Sequence, residues 1–277
     1  MKNCFDCFRY YKEWRQNRRL TKHLFWFRKH QGIQWIRGQN FGDYISGIVV
    51  AETARKLGLK RSNIPAGQKL LAIGSVLHFA QNGDIIWGTG INGKISRERH
   101  AFSTLDVRMV RGPMTRGFLV QKGMIVEDVF GDPALLLPTL FPGITRKTTP
   151  NKIIVLPNLN ELALVKKKVP KTMRIVSPLA HWKRVVHEIL TSELVLSSSL
   201  HGIILSEAFG VPVRFVMPAG GETLFKYQDY FLGTGRHLDR PPDTFMDTIT
   251  DQSGVMMPAP VFNPGALLDT FPSDVFE

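Results

Sequence analysis

Three hydroxyls, an imidazole and a glycine share six consecutive positions in Ser197-Ser198-Ser199-Leu200-His201-Gly202. The segment lies between the apolar run Leu194–Ser197 and the amphipathic run Ile203–Phe209, which reads as a strand-to-helix turn. Free backbone N–H groups at such a helix start attract an anion, and His201 at the mouth can move a proton. One N-cap would need only one of those hydroxyls. Asn40-Phe41-Gly42-Asp43 repeats the arrangement ahead of a second helix. Asp43 suits a general base or a partner for a sugar hydroxyl, and equally a cap that offsets the helix dipole.

Further candidates follow other strands. Gly88-Thr89-Gly90-Ile91-Asn92-Gly93 is a literal G-x-G-x-x-G. The polar stretch Lys94–His100 is unlike the buried helix of a dinucleotide site, and no strand about 20 residues on ends in a ribose-binding acid. Nicotinamide and flavin dinucleotides are therefore not expected, although the glycines let a ligand approach the backbone. Arg111, before Gly112-Pro113, is placed to grip a carboxylate or phosphate, whereas Arg108 and Arg116 are expected in solvent. Within Glu222–Phe231, Lys226 and Tyr227 offer a cation and a sugar-facing ring, or a surface helix with an aromatic stripe.

The elements that must position these groups alternate. Strands are predicted at Ile33–Ile36, Leu70–Ile73, Asp84–Trp87 and Asp106–Val110, with helices over Tyr44–Leu57 and from Pro113 to Lys122. Val129–Leu137 follows, and Phe141–Asn151, rich in Pro, Gly, Thr and charge, is the linker candidate. Beyond it come strands Lys152–Leu156, Met173–Val176, Leu194–Ser197 and Val213–Val216. Helices Asn158–Val165, Ala180–Leu190 and His201–Phe209 separate them. The expected fold class is α/β, with two Rossmann-like domains facing a cleft and ligands at the strands' carboxyl ends. The expected division is a leader (1–30), an N-terminal domain (31–145) and a C-terminal domain with a tail (146–277); the tail from Gln252 is left unplaced.

Composition bounds the class. The net charge is +13 and 43% of residues are hydrophobic, too apolar for a disordered chain. No apolar run reaches the ~20 residues of a membrane span. Residues 1–30 carry nine basic and two acidic residues among Phe5, Phe8, Tyr10, Tyr11, Trp14, Phe25, Trp26 and Phe27. That mixture suits an anionic membrane surface, or a helix packed on the domain with its charges in solvent. Nucleic acid is not expected as a partner, because no binding motif follows. The leader lacks the apolar region of a secretory signal, and two cysteines make no disulfide framework. Cys4 and Cys7 are read as reduced thiols. No GxxxxGK[ST], HExxH, GxSxG or EF-hand pattern occurs.

An ordered series now stands out: Asn40-Phe41-Gly42-Asp43, Gly88-Thr89-Gly90, Val110-Arg111-Gly112-Pro113, Val129-Phe130-Gly131-Asp132-Pro133-Ala134, Ser198-Ser199-Leu200-His201-Gly202, and Ser206-Glu207-Ala208-Phe209-Gly210-Val211-Pro212. Over residues 33–232 it resembles the polysaccharide pyruvyl transferase family. The resemblance implies a GT-B-like fold, phosphoenolpyruvate as donor, and a sugar with two free hydroxyls as acceptor, giving a cyclic pyruvate ketal. Some members carry Arg-Leu-His-Gly where this chain has Ser199-Leu200-His201-Gly202, so Arg214 or Lys226 is expected to supply the charge.

The expected catalytic set is His201 as acid or phosphate-protonating group, Arg111 as anion anchor, and Asp43 to orient or deprotonate the acceptor. Donor contacts are expected from Ser198, Ser199, Leu200, Gly202, Arg214 and Lys226. Acceptor contacts are expected from Asn40, Gly42, Gly88, Thr89, Gly90, Asn92 and Tyr227. No cofactor or metal is demanded, phosphoenolpyruvate being a co-substrate. The expected location is cytoplasmic, with residues 1–30 suited to peripheral contact at the inner membrane face and the acceptor glycan lipid-linked or free. The rival readings are a GT-B-like glycosyltransferase, with Glu207 or Glu222 as its ribose-binding acid, and a non-catalytic basic protein that binds acidic glycan or membrane.

Overall fold

Short, mostly apolar runs become the strands, and the amphipathic stretches between them become crossover helices. The computed structural model describes residues 12–13, 15–24, 40–218, 222–245, 247–248 and 255–277. Cys4, Cys7, Phe5, Phe8, Tyr10, Tyr11, Trp14, Phe25, Trp26, Phe27, the expected strand Ile33–Ile36 and Gly220-Gly221 lie outside the described residues.

Strands β1 (Leu70–Leu71), β2 (Ile85–Trp87) and β3 (Asp106–Met109) form a parallel sheet in that order. Strands β4 (Ile153–Leu156), β5 (Arg174–Ile175), β6 (Leu194–Ser197), β7 (Val213–Phe215) and β8 (Val255–Met256) form a second sheet ordered β5-β4-β6-β7-β8, parallel except for β8. Side chains alternate between faces. Leu70, Ile85, Trp87 and Met109 join an inner cluster, while Leu71, Ile86 and Val110 join an outer one. Ile154, Leu156 and Val195 face the same inner cluster, and Val155 and Leu196 a third one. Parallel strands covered on both faces are apolar throughout, which explains the uninterrupted runs.

The inner cluster is continuous between the sheets. It is filled by α1 (Phe41–Lys56), the 3-10 turn Pro133–Leu136, α5 (Trp182–Leu190) and α6 (Leu200–Ala208). Between these in chain order come α2 (Pro113–Gln121), α3 (Leu137–Leu140) and α4 (Leu162–Lys168), then α7 (Phe225–Gly233) and α8 (Pro264–Asp269). Helix α1 is buried nearly all round, as befits a helix enclosed between layers. It begins three residues before the expected Tyr44, because Asn40 Oδ1 accepts from Gly42 N at 3.0 Å and caps it there.

The two terminal segments are both tied into the fold, and the leader follows the packed-helix alternative. The described part of the leader is embedded: Leu20 and Leu24 are buried, and Leu24 bridges Leu70 of β1. Glu13 accepts from Trp182 Nε1 at 3.1 Å and pairs with His181 at 3.3 Å and Lys183 at 3.1 Å. Arg15, Arg18, Arg19 and Lys22 remain exposed. The tail, left unplaced by pattern, adds β8 to the second sheet and then returns to the first half. Trp87 Nε1 donates to Thr270 Oγ1 at 3.2 Å, Arg108 pairs with Asp274 at 2.7 Å, and Arg61 with Glu277 at 2.5 Å. No helix among the described residues is long and apolar enough to cross a membrane.

The halves are also joined by a buried ion pair. Arg111 and Asp229 are both fully buried, with Arg111 Nη2 3.0 Å from Asp229 Oδ2. Asp229 also accepts from Thr115 N at 3.0 Å and Thr115 Oγ1 at 2.7 Å, so a carboxylate carried by α7 sits on the N-terminus of α2. Removing one partner strands a buried charge. Asp229→Ala should therefore cost on the order of 3–5 kcal/mol, read as a lowered urea midpoint. Arg108→Ala, which breaks half-exposed pairs, should cost under about 1 kcal/mol in the same experiment.

Candidate active site

Two helix N-termini open into one cleft of about 290 Å³ between the sheets. Helix α1 brings Asn40 and Asp43 there, and α6 brings Ser199, Leu200 and His201. Ser199 is the N-cap of α6, yet its hydroxyl bonds to no first-turn N–H, which leaves the helix start facing the cleft. Lys226, from the first turn of α7, completes the floor.

The His201 imidazole lies flat against Gly42: a Cβ built on that glycine would fall 2.1 Å from His201 Nδ1. Its Nε2 faces Asp132 Oδ2 at 3.7 Å. Among the described residues, neither of these buried atoms has another hydrogen-bond partner, while Asp132 Oδ1 is fixed by Ala134 N at 2.9 Å. A small closing movement would make Asp132 the group that orients the imidazole. Burial pushes the Asp43 carboxyl above its ordinary range, against the pull of His201 and Lys226. A carboxyl so shifted is a better proton acceptor near neutral pH.

Several expected contacts become supports. Arg111 does not face the cleft. Its guanidinium donates to Ser75 Oγ at 2.7 Å, Ile91 O at 2.5 Å and Asp229 at 3.1 Å, so it is the wall behind Ser75. Tyr227 is fully buried, stacked on Phe215 at 4.6 Å, with its hydroxyl donating to Ser198 O at 2.7 Å; it holds the Ser198 turn and touches no cleft space. Thr89 Oγ1 donates to Gly74 O at 2.7 Å and is wholly buried. A Cβ on Gly88 would strike Pro133 at 2.2 Å, and one on Gly90 would strike Arg111 at 2.7 Å. Gly202 lets α6 sit on β4, since its Cβ would meet Ser197 Oγ at 2.4 Å and Leu156 at 2.8 Å. Arg214, on β7, is not among the lining residues, whereas Asn92 is.

Pattern reading passed over Ser75, Val76, His78, Phe79 and Asn158, which also line the cleft, and Asp132 as a site residue. The usable signal was position: Ser75 to Phe79 follow β1 and Asn158 follows β4, at strand carboxyl ends. Burial, with His100 and Arg99 nearby, lowers His78 to about 4 and keeps its imidazole neutral.

Beneath the cleft, Ser198 Oγ accepts from Asn158 N at 3.0 Å and donates to the buried Glu161. Burial raises Glu161 from 4.5 to about 7. Below 4.5 the carboxyl is protonated whether the chain is folded or not. Between 4.5 and 7 the unfolded chain loses the proton first, so stability falls as pH rises, and the loss is complete above 7. Glu161→Gln keeps the acceptor for Ser198 and removes the titration. The melting temperature of this variant minus that of the wild type should rise from pH 4.5 to 7 and then level off.

Comparison with known proteins identifies the family. The family description "Polysaccharide pyruvyl transferase" matches residues 11–218, which hold every cleft residue named above except Lys226. The chain is 24% identical over 180 residues to the "Uncharacterized protein L143" of Acanthamoeba polyphaga mimivirus, covering 61% of each chain. It is 27% identical over 170 residues to the "Succinoglycan biosynthesis protein ExoV" of Rhizobium meliloti (strain 1021), covering 58% of this chain and 52% of that protein. The aligned part thus spans about half to three fifths of those relatives. The chain belongs to the polysaccharide pyruvyl transferase family.

Proposed function

We propose that the chain transfers the pyruvyl group of phosphoenolpyruvate to two hydroxyls of one sugar in a surface glycan or exopolysaccharide, leaving a cyclic ketal and inorganic phosphate. One observation carries this reading: two helix N-termini and Lys226 converge on a cleft that also holds an imidazole and a carboxyl. The donor bears a carboxylate and a phosphate, which such a floor suits. His201, oriented by Asp132, delivers a proton to the donor's methylene carbon, and C2 becomes electrophilic. Asp43 takes the proton of the attacking sugar hydroxyl. The C2–O bond to phosphate breaks as a second hydroxyl closes the ring. Of the two hydroxyl protons released overall, one balances the new methyl group and one leaves on phosphate.

Residues 31–145 and 146–277 are read as two Rossmann-like halves of GT-B kind, each built around its own sheet. The relative named for succinoglycan biosynthesis supports a polysaccharide acceptor. The exposed cations at 15–22 suit contact with an anionic inner membrane surface, where a lipid-linked acceptor would lie. A nucleotide-sugar transferase would need an acidic ribose partner. Glu207 is bound by Arg236 at 2.5 Å and Tyr230 at 2.6 Å, and Glu222 by Lys94 and Lys226.

Phosphoenolpyruvate should raise the melting temperature of the wild type, and nucleotide-sugars should not; the reverse result overturns the donor assignment. Lys226→Ala should weaken that shift. For the chemistry, Gly42→Ala should leave the protein folded at a stability cost of about 1–3 kcal/mol, since the helix tolerates alanine but the buried His201 ring must move. By displacing His201 it should cut turnover about 10²-fold. Asp132→Asn should slow turnover with the donor shift retained. Wild-type rates in both variants would remove His201 from the mechanism.

A further inference from the structure

Lys226 is the one lysine or arginine among the described residues lining the cleft, and its side chain is 13% exposed. A lysine so placed must be paired to keep its proton. Its Nζ donates to Glu222 Oε1 at 2.7 Å, and the other oxygen of Glu222 takes Lys94 Nζ at 2.5 Å. The Glu222 side chain is itself only 7% exposed. Lys94 belongs to the first half of the chain and Glu222 to the second, and the join is reinforced. Thr223 Oγ1 donates to Asn92 O at 3.1 Å, and a Cβ on Gly93 would meet Thr223 and Phe225 at 2.5 Å.

We propose that Glu222 and Lys94 are positioning residues for Lys226: Glu222 holds the ammonium protonated and directed into the cleft, Lys94 holds Glu222, and Lys226 so held binds the anionic donor. This rests on the donor reading above. The charges around Lys226 are unequal. Glu222, Asp43 and Glu161, the last raised to about 7 by burial, are acidic, while Arg111 and Lys94 are basic and His201 stands beside Asp43. Burial lowers Lys226, and Glu222 supplies the main opposing pull. Without Glu222 the ammonium loses its hydrogen-bonded partner, Asp43 and Glu161 remain as its acidic neighbours, and Asp229 is spent on Arg111. A lysine released from its partner loses its proton and with it the affinity for a dianion, and that loss grows with pH.

The test has two readouts in the full-length protein. The first is acetylation of Lys226 against pH by mass spectrometry, which needs no donor. The second is the dissociation constant of phosphoenolpyruvate at pH 7 and pH 9. Glu222→Gln should move half-maximal acetylation down by at least one pH unit. Its weakening of donor binding should be about tenfold greater at pH 9 than at pH 7. Lys94→Gln should shift both in the same direction by less. Glu222→Gln combined with Lys226→Arg should abolish the pH dependence, because a guanidinium does not titrate in this range. An unchanged acetylation profile in Glu222→Gln overturns the proposal. So does an equal loss of binding at both pH values with and without Lys226→Arg. A shifted acetylation profile in a protein that never binds phosphoenolpyruvate would support the positioning role and reject the donor.

Discussion

The buried pair between Arg111 and Asp229 is the constraint from which the site's geometry follows. It joins residues 118 apart in sequence and seats a carboxylate of α7 on the N-terminus of α2. Once α7 is fixed there, its other side chains have little freedom. Lys226 points into the cleft, Tyr227 reaches the Ser198 carbonyl, and Tyr230 reaches Glu207. One helix thus sets the cation, the anion-binding turn and the far wall together. A charged pair out of water contributes little net stability compared with apolar packing, but few arrangements satisfy it. The guanidinium is committed to that register, so a second, less encumbered cation is needed at the ligand surface.

The proposed reaction makes two opposed demands on the cleft. An anionic donor wants helix N-termini and a protonated lysine; proton transfer wants carboxyls nearby. The carboxyls remain compatible because burial holds Asp43 and Glu161 above their ordinary range, so less negative charge competes with the ligand at neutral pH. Glu222 is the acid held ionised, and its charge is neutralised on both sides by lysines. The outcome is a site whose formal charges are local and paired, while its helix dipoles are left for the ligand.

Much of the scaffold was legible in the chain. Strand runs such as Ile153–Leu156 and Leu194–Ser197 are short, apolar and bounded, and parallel strands covered on both faces produce that signature. The two turns that open α1 and α6 were found because caps and catalytic hydroxyls use the same residue types. That overlap also explains the errors. The glycines of 88–93 were read as ligand approach, whereas they admit Pro133, Arg111 and Phe225. Arg111 and Tyr227 had the right chemistry for a ligand, and their partners lie 118 and 29 residues away, beyond any local pattern. Asp132 was visible in the Gly-Asp-Pro motif, but its facing of His201 depends on how two strand ends meet.

The returning tail bears on how the molecule comes into being. Its final residues pair with the segment after α1: Phe276 bridges Ser62, and Asn63 Nδ2 donates to Glu277, 214 residues further along. During synthesis the first sheet must therefore wait, with one flank open, until the chain has been made as far as Glu277. Contacts of such long separation form late and slow the approach to the native state. Nascent chains of this family member should be exposed to chaperones and proteases until that segment emerges, and a ribosome stalled before it would release a first half that cannot close itself.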